Sequence, residues 1–157
     1  MEVSLNVAVV DQSVPQHKLN LIQDLSASAK AFFRDSSYSS EVETIAISFL
    51  LVNSQPGYED WHKEKSPRYV AFKTVKSRLT GETYDVSKRF DYDIKFSDEL
   101  IESFSNTSDE ESIKIIAEET LASLNKLDKL SKKVKDFDKE KFRADLQKFF
   151  GQQMFTR

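Results

Sequence analysis

Alternation of hydrophobic and polar residues predicts a strand at two places in the chain. In Glu2–Val10, every second residue from Val3 to Val9 is apolar, which is the pattern of a strand with one buried face. The clearest alternation runs through Thr83–Phe96. Its apolar face consists of Tyr84, Val86, Phe90, Tyr92, Ile94 and Phe96, interrupted by Lys88. One core face and one solvated face are typical of an antiparallel sheet, which we predict here.

Two further segments complete the predicted sheet. Glu41–Asn53 is rich in apolar and β-branched residues on both faces, as expected of a central strand that is covered on both sides. Arg68–Lys76 reads as a third strand. The short connection Ser77–Gly81 contains a glycine, which predicts a hairpin between this strand and the next.

The remaining segments have helical periodicity. After Pro15, a single apolar stripe runs toward an expected end near Arg34. Ser97, Ser108 and Asp138 stand where N-caps belong, and Gly151 is expected to stop the last helix. The predicted order is β-α-β-β-β-α-α-α, in a single domain spanning residues 1–157. The fold class is α+β, an antiparallel or mixed sheet of about four strands with helices packed on one face.

Composition narrows the possible functions. The 157 residues include no Cys, three Gly and two His, so thiol chemistry, Cys-based metal sites and Gly-rich phosphate loops are excluded. We expect no cofactor and no metal. The N-terminus lacks the pattern of a signal peptide, and no apolar run approaches the ~20 residues of a membrane span. We therefore expect a cytoplasmic protein that does not contact a membrane.

Charge is segregated in the C-terminal half, although the net charge is only −3. Asp98–Glu119 holds eight acids and one base, whereas Lys126–Lys148 holds nine bases and five acids. Helix N-termini favour carboxylates and account for part of the acidic excess. The rest indicates electrostatic steering of a basic partner. Binding of nucleic acid by the lysine-rich segment is disfavoured because acids interrupt it.

One predicted loop contains an aromatic residue and a histidine that could form a functional site. His62 follows Trp61 and lies near Asp60 and Glu59, so it could act as a general base oriented by a carboxylate. It could equally be a polar loop residue, and no nucleophile elbow accompanies it. A small hydrolase using His62 is therefore kept as a minor alternative. Trp61 is either an interface aromatic or the closure of a core edge.

The polar face of the fourth predicted strand carries both signs of charge. Asp85, Asp91 and Asp93 share it with Arg89 and Lys95. A carboxylate trio could bind a hard cation, but Asp91 and Asp93 would stand about 7 Å apart with cations beside them. A solvated sheet face or a protein-binding face fits this pattern better.

Two stretches together resemble a known class of protein. One is Gly57–Tyr69 running into the alternating strand Tyr84–Phe96, and the other is the Lys- and Phe-rich tail Leu121–Phe150. In combination they resemble a small α+β immunity-protein family of bacterial polymorphic toxin systems. The resemblance implies a cytoplasmic protein that binds one toxin and blocks it without chemistry of its own.

The predicted function is therefore neutralisation of a cognate protein toxin by occlusion, with no enzyme activity. The alternative is a small intracellular adaptor or regulator, which could dimerise through an edge strand. We expect neither nucleic acid nor a membrane as a partner. We expect the protein to be a monomer or a homodimer. The predicted partner-binding residues are Trp61, Asp85, Arg89, Asp91, Asp93, Glu110 and Glu111.

Overall fold

The computed structural model describes residues 1–10, 12–39, 42–52, 68–70, 73–76, 83–86, 89–127 and 136–155. Its strands are β1 (Glu2–Val10), β2 (Thr44–Leu51), β3 (Arg68–Val70), β4 (Lys73–Lys76), β5 (Thr83–Val86) and β6 (Arg89–Lys95). Its helices are α1 (Gln16–Phe33), α2 (Asp98–Asn106), α3 (Asp109–Ala122) and α4 (Lys139–Phe155), with a 3₁₀ turn at Ser123–Lys126.

The described strands form two sheets. The larger sheet has the order β1-β2-β6-β3, and β4 pairs with β5 in a separate two-stranded sheet. β1, β2 and β6 run parallel to one another, and β3 pairs antiparallel with the first residues of β6. The β4–β5 pair is antiparallel, which confirms the predicted hairpin.

The predicted sheet arrangement is wrong in two respects. In place of the antiparallel or mixed sheet of about four strands, the larger sheet is built on three adjacent parallel strands, and the antiparallel β3 adds only three residue pairs at its edge. The segments predicted as single strands over Arg68–Lys76 and Thr83–Phe96 are each divided between the two sheets, the first into β3 and β4 and the second into β5 and β6. Alternation in a sequence records which face of a strand is buried, but it carries no information on the direction of the neighbouring strands.

One face of the larger sheet lies in the core. The register places Val3 beside Ile45 and Ile45 beside Phe90, and all three are fully buried. The same face continues through Leu5, Ile47 and Tyr92, and then through Val7, Phe49 and Ile94. These side chains form one apolar cluster with those of the helices. The helices therefore pack on this face, and burial of its area supplies the main stabilising term.

Aromatic rings join α1 to α4 within this core. Phe33, at the end of α1, lies 5.9 Å from Phe142 and 6.0 Å from Phe149 between ring centroids. It also lies 6.3 Å from the ring of Tyr38. Tilted and edge-on rings at these distances add to the energy of area burial. The last helix is thus held against the first across the sheet face.

The predicted helix starts are confirmed. The Ser97 hydroxyl accepts a hydrogen bond from the Leu100 N–H at 3.2 Å, and the Ser108 hydroxyl accepts one from the Glu111 N–H at 3.2 Å. The Asp138 carboxylate accepts one from the Lys141 N–H at 3.1 Å. Each bond satisfies one of the donors that a helix N-terminus leaves unpaired. The predicted stop at Gly151 is wrong, because α4 continues to Phe155.

Candidate partner-binding site

A group of exposed acids lies along the carboxyl edge of the parallel strands. Because β1, β2 and β6 are parallel, their carboxyl ends lie at the same edge of the sheet. α1 follows the carboxyl end of β1, and two residues separate the end of β6 from the start of α2. The turn between α2 and α3 contacts the first turn of α1 through Lys18. α2 therefore runs along this edge from β6 toward the start of α1.

Six exposed carboxylates follow this path, and we call them the acidic rim. They are Asp98, Glu99, Glu102, Asp109, Glu110 and Glu111. No Lys or Arg occurs between Asp98 and Ser112. Asp98 and Glu99 lie in the first turn of α2, and the last three lie in the first turn of α3. The positive ends of two helix dipoles partly offset this negative charge, and the side chains remain available to a basic partner.

The exposed side of α2 carries an open depression of about 420 Å³. Glu99, Glu102, Ser103, Asn106 and Thr107 line it. Its carboxylates accept hydrogen bonds and its hydroxyl and amide groups donate or accept them. The depression therefore offers a polar, negatively charged surface to a side chain such as arginine or lysine.

A buried lysine lies directly beneath the rim. Lys18 in the first turn of α1 has only 1% of its surface exposed. Its ammonium donates hydrogen bonds to the Thr107 carbonyl at 2.8 Å and to the Ser112 hydroxyl at 2.7 Å. It lies 3.1 Å from a carboxylate oxygen of Asp109. All three donors of the ammonium therefore have a partner, as a buried cation requires.

His17 approaches the same carboxylate from the surface. Its Nε2 lies 3.8 Å from the Asp109 carboxylate oxygen, and both side chains are more than half exposed. At this exposure the contact contributes little to stability. Among the described residues, no three His, Asp or Glu side chains come together as a metal site.

The structure separates the predicted binding residues. Glu110 and Glu111 belong to the acidic rim. Asp91 and Asp93 lie half-buried on β6. They face away from the helices, because they alternate with Phe90 and Tyr92, which face the core. The rim and this sheet face are therefore on different sides of the molecule.

Asp91 and Asp93 have polar neighbours on their own face. The register places Asp91 in line with Ala46 and Ser4, and Asp93 in line with Ser48 and Asn6. The amide of Asn6 donates a hydrogen bond to the Ser4 hydroxyl at 3.1 Å. This polar sheet face is a second surface that could contact a protein.

The other predicted residues are not brought together with these. Asp85 stands on β5 opposite Thr74, in the smaller sheet. Arg89 begins β6 and pairs in register with Thr44. Trp61 and His62 lie outside the described residues, so both stay predictions.

Lys126 contacts β6 next to the polar face. Its ammonium donates a hydrogen bond to the main-chain carbonyl of Asp93, beyond the part of β6 that pairs with β3. Burial lowers the pKa of Lys126, and the nearby Asp93 charge opposes that shift. The carbonyl that Lys126 binds thus lies two residues beyond Asp91, which pairs with Arg68, the first residue of β3.

Sequence reasoning missed Lys18, although the sequence holds a signal for it. Lys18 stands four residues before Ile22, which is followed by Leu25 and Ala29 on the buried stripe of α1. A charged residue in register with an apolar stripe is expected to be buried and paired.

Comparison with known protein families settles the class of the chain. A family model described as Imm44, immunity protein 44, matches residues 1–152. The chain belongs to the Imm44 family. This confirms the resemblance to immunity proteins that the sequence suggested. The match covers β1 through nearly all of α4, including the acidic rim and Lys18.

No curated protein and no solved structure matches this Imm44 chain. Among the described residues, no helix is both long enough and apolar enough to cross a bilayer.

Proposed function

We propose that this Imm44 chain neutralises a cognate bacterial toxin by binding it and covering its functional surface, without catalysis of its own. Membership of an immunity-protein family supports this proposal. The observation that carries the choice of surface is the acidic rim, in which six exposed carboxylates occur without an intervening base.

The rim suits a partner with a basic functional surface. Opposite charges steer two proteins together and raise the association rate, which an inhibitor of a toxic protein needs. Glu110 and Glu111 project from the first turn of α3, and both are exposed. Lys18 does not neutralise their charges, because its ionic contact is with Asp109.

Co-expression tests the neutralisation. The toxin encoded beside the gene for this chain is expressed in a sensitive bacterial strain, alone or together with this protein. We expect growth to be restored only when both are made. The proposal is rejected for that toxin if the cells die equally fast with and without this protein.

Charge-neutralising variants test the surface. The catalytically inactivated toxin serves as the binding probe, and its association rate is measured at several salt concentrations. We expect the double variant Glu110→Gln and Glu111→Gln to associate about tenfold more slowly at low salt and to depend less on salt. The control is Glu118→Gln with Glu140→Gln, which removes the same charge from exposed sites outside the rim. Equal effects of both pairs would show that only net charge matters.

Asp91 and Asp93 provide the competing surface. Their isosteric variants Asp91→Asn and Asp93→Asn remove two charges from the polar sheet face, which lies on the side opposite to the helices. If these variants slow association and the rim variants do not, the toxin binds the sheet face and the assignment to the rim is wrong.

A further inference from the structure

We propose that Lys18 positions the turn between α2 and α3, so that Glu110 and Glu111 are held in the geometry that the toxin recognises. This inference rests on the proposed function and adds to it a residue that the toxin cannot touch. Lys18 is 1% exposed, whereas Glu110 and Glu111 are exposed. Any effect of Lys18 on binding must therefore act through the residues that it holds.

The hydrogen bonds of the Lys18 ammonium all go to this turn and to the start of α3. The Thr107 carbonyl stands at the C-cap of α2, Asp109 is the first residue of α3, and Ser112 lies in the next turn of α3. The dipole of α2 favours a cation at its carboxyl end, whereas the dipole of α3 disfavours one at its amino end, where the Asp109 carboxylate compensates. One ammonium thus binds the end of one helix and the start of the next, and it fixes the angle between them.

A second hydrogen bond extends this connection. The Ser112 hydroxyl accepts from Lys18 and donates to the Phe104 carbonyl at 2.9 Å. Ser112 is fully buried and Phe104 belongs to α2. The chain of bonds therefore runs from α1 through α3 to α2, and the first turn of α3 cannot rotate without breaking it.

Packing alone does not require a lysine here. A buried charge loses its hydration, and a hydrophobic residue of similar length would fill the same space without that cost. What the ammonium adds is three directed bonds, one to the end of α2 and two to the start of α3. Directed bonds hold the turn in one geometry, which a binding surface on that turn requires.

A double-mutant cycle with the inactivated toxin tests the inference. Lys18→Met keeps most of the length of the side chain, ending one atom short of the nitrogen, and removes its charge. We expect it to raise the toxin Kd about tenfold when Glu110 and Glu111 are present, and less than about twofold when both are glutamine. Ile22→Val, in the next turn of the same buried stripe, is the control for a general loss of stability.

Equal effects of Lys18→Met in both backgrounds would overturn the inference, because the lysine would then act independently of the two glutamates. If the glutamine variants alone do not alter binding, the proposed rim surface fails instead, so the two failures are distinguishable. Ser112→Ala provides a second, fully buried test of the same connection if Lys18→Met folds poorly.

Hydrogen exchange tests the positioning without the toxin. We expect the amides of residues 107–111 to exchange about tenfold faster in Lys18→Met than in the Ile22→Val control. Unchanged exchange in this turn would show that Lys18 does not hold it, and would also overturn the inference.

Discussion

The Ser26 hydroxyl accepts a hydrogen bond from the main-chain N–H of Leu5 at 3.0 Å, and both residues are buried. Leu5 lies on β1, an edge strand of the described sheet. Its N–H points away from β2, since it bonds to a side chain of α1. The helix thus satisfies and covers an edge donor that a neighbouring strand would otherwise pair with.

Replacing Ser26 should show how much this hydrogen bond contributes to the free energy of unfolding. We expect Ser26→Ala to lower the free energy of unfolding by about 1–3 kcal/mol, because a buried N–H is left without an acceptor. Urea unfolding measures the change. Ser28→Ala on the same helix is the control and should stay within about 0.5 kcal/mol. A comparable loss in both variants would contradict the role given to the hydrogen bond.

Tyr92 gives a prediction for alkaline pH. Its hydroxyl is buried near the Ser123 hydroxyl, which opposes part of the effect of burial on the pKa of Tyr92, but the two groups lack the geometry of a full hydrogen bond. Burial raises the pKa of Tyr92 above the ordinary value of 10.0. The folded state therefore holds this proton more tightly than the unfolded chain does. The resulting stability is present below pH 10 and is lost as the pH rises through the folded-state pKa.

Tyr92→Phe removes this contribution. We expect the unfolding free energy of the variant to fall less steeply above about pH 10, by up to about 1.4 kcal/mol per pH unit. Near neutral pH the variant should be as stable as the parent or slightly more so, because an unpaired buried hydroxyl is removed. Urea unfolding between about pH 8 and about pH 11 measures both effects. Parallel pH profiles would contradict the prediction.

Phe33 should be among the most sensitive positions of the core. It is fully buried and contacts the rings of Tyr38, Phe142 and Phe149. We expect Phe33→Ala to cost about 3–5 kcal/mol, since it removes a large buried ring and leaves a cavity. Met154→Ala, at a site that is 40% exposed, should change stability by less than about 0.5 kcal/mol. Similar losses at both sites would show that the aromatic cluster does not join the two helices.

Gly151 offers a stabilising substitution. The residue lies within α4, and a Cβ atom built there meets nothing within 4 Å. We expect Gly151→Ala to raise the free energy of unfolding by about 0.5–1 kcal/mol, because alanine loses less backbone entropy on entering a helix. A shift of the thermal midpoint measures it. A lower midpoint would mean that the helix does need to end near Gly151.

The sequence predicted secondary-structure features well where neighbouring residues alone determine them. Ser97, Ser108 and Asp138 cap helices because a side-chain oxygen and an N–H two or three residues later suffice. Val3 and Leu5 are buried because they share one face of a strand. The stop at Gly151 failed because glycine is a weak signal, and tertiary packing of Leu146, Phe149 and Phe150 carries the helix past it.

The candidate site was predictable only in part. The sequence by itself determined that Asp98–Glu119 is acidic and that Glu110 and Glu111 open a helix. It also determined that Phe90, Tyr92 and Ile94 face the core while Asp91 and Asp93 do not. These properties follow from composition, from capping and from the period of two, which a chain carries locally.

Only the tertiary structure decided how these pieces meet. β2 and β6 pair in parallel although more than thirty residues of sequence separate them, and strand direction depends on such distant partners rather than on local alternation. Parallel pairing gathers the ends of β1 and β6 at one edge and so places α2 and its acids beside the start of α1. The same pairing puts Lys18 under the acidic rim and Asp91 on the opposite side of the sheet, which no spacing in the sequence records.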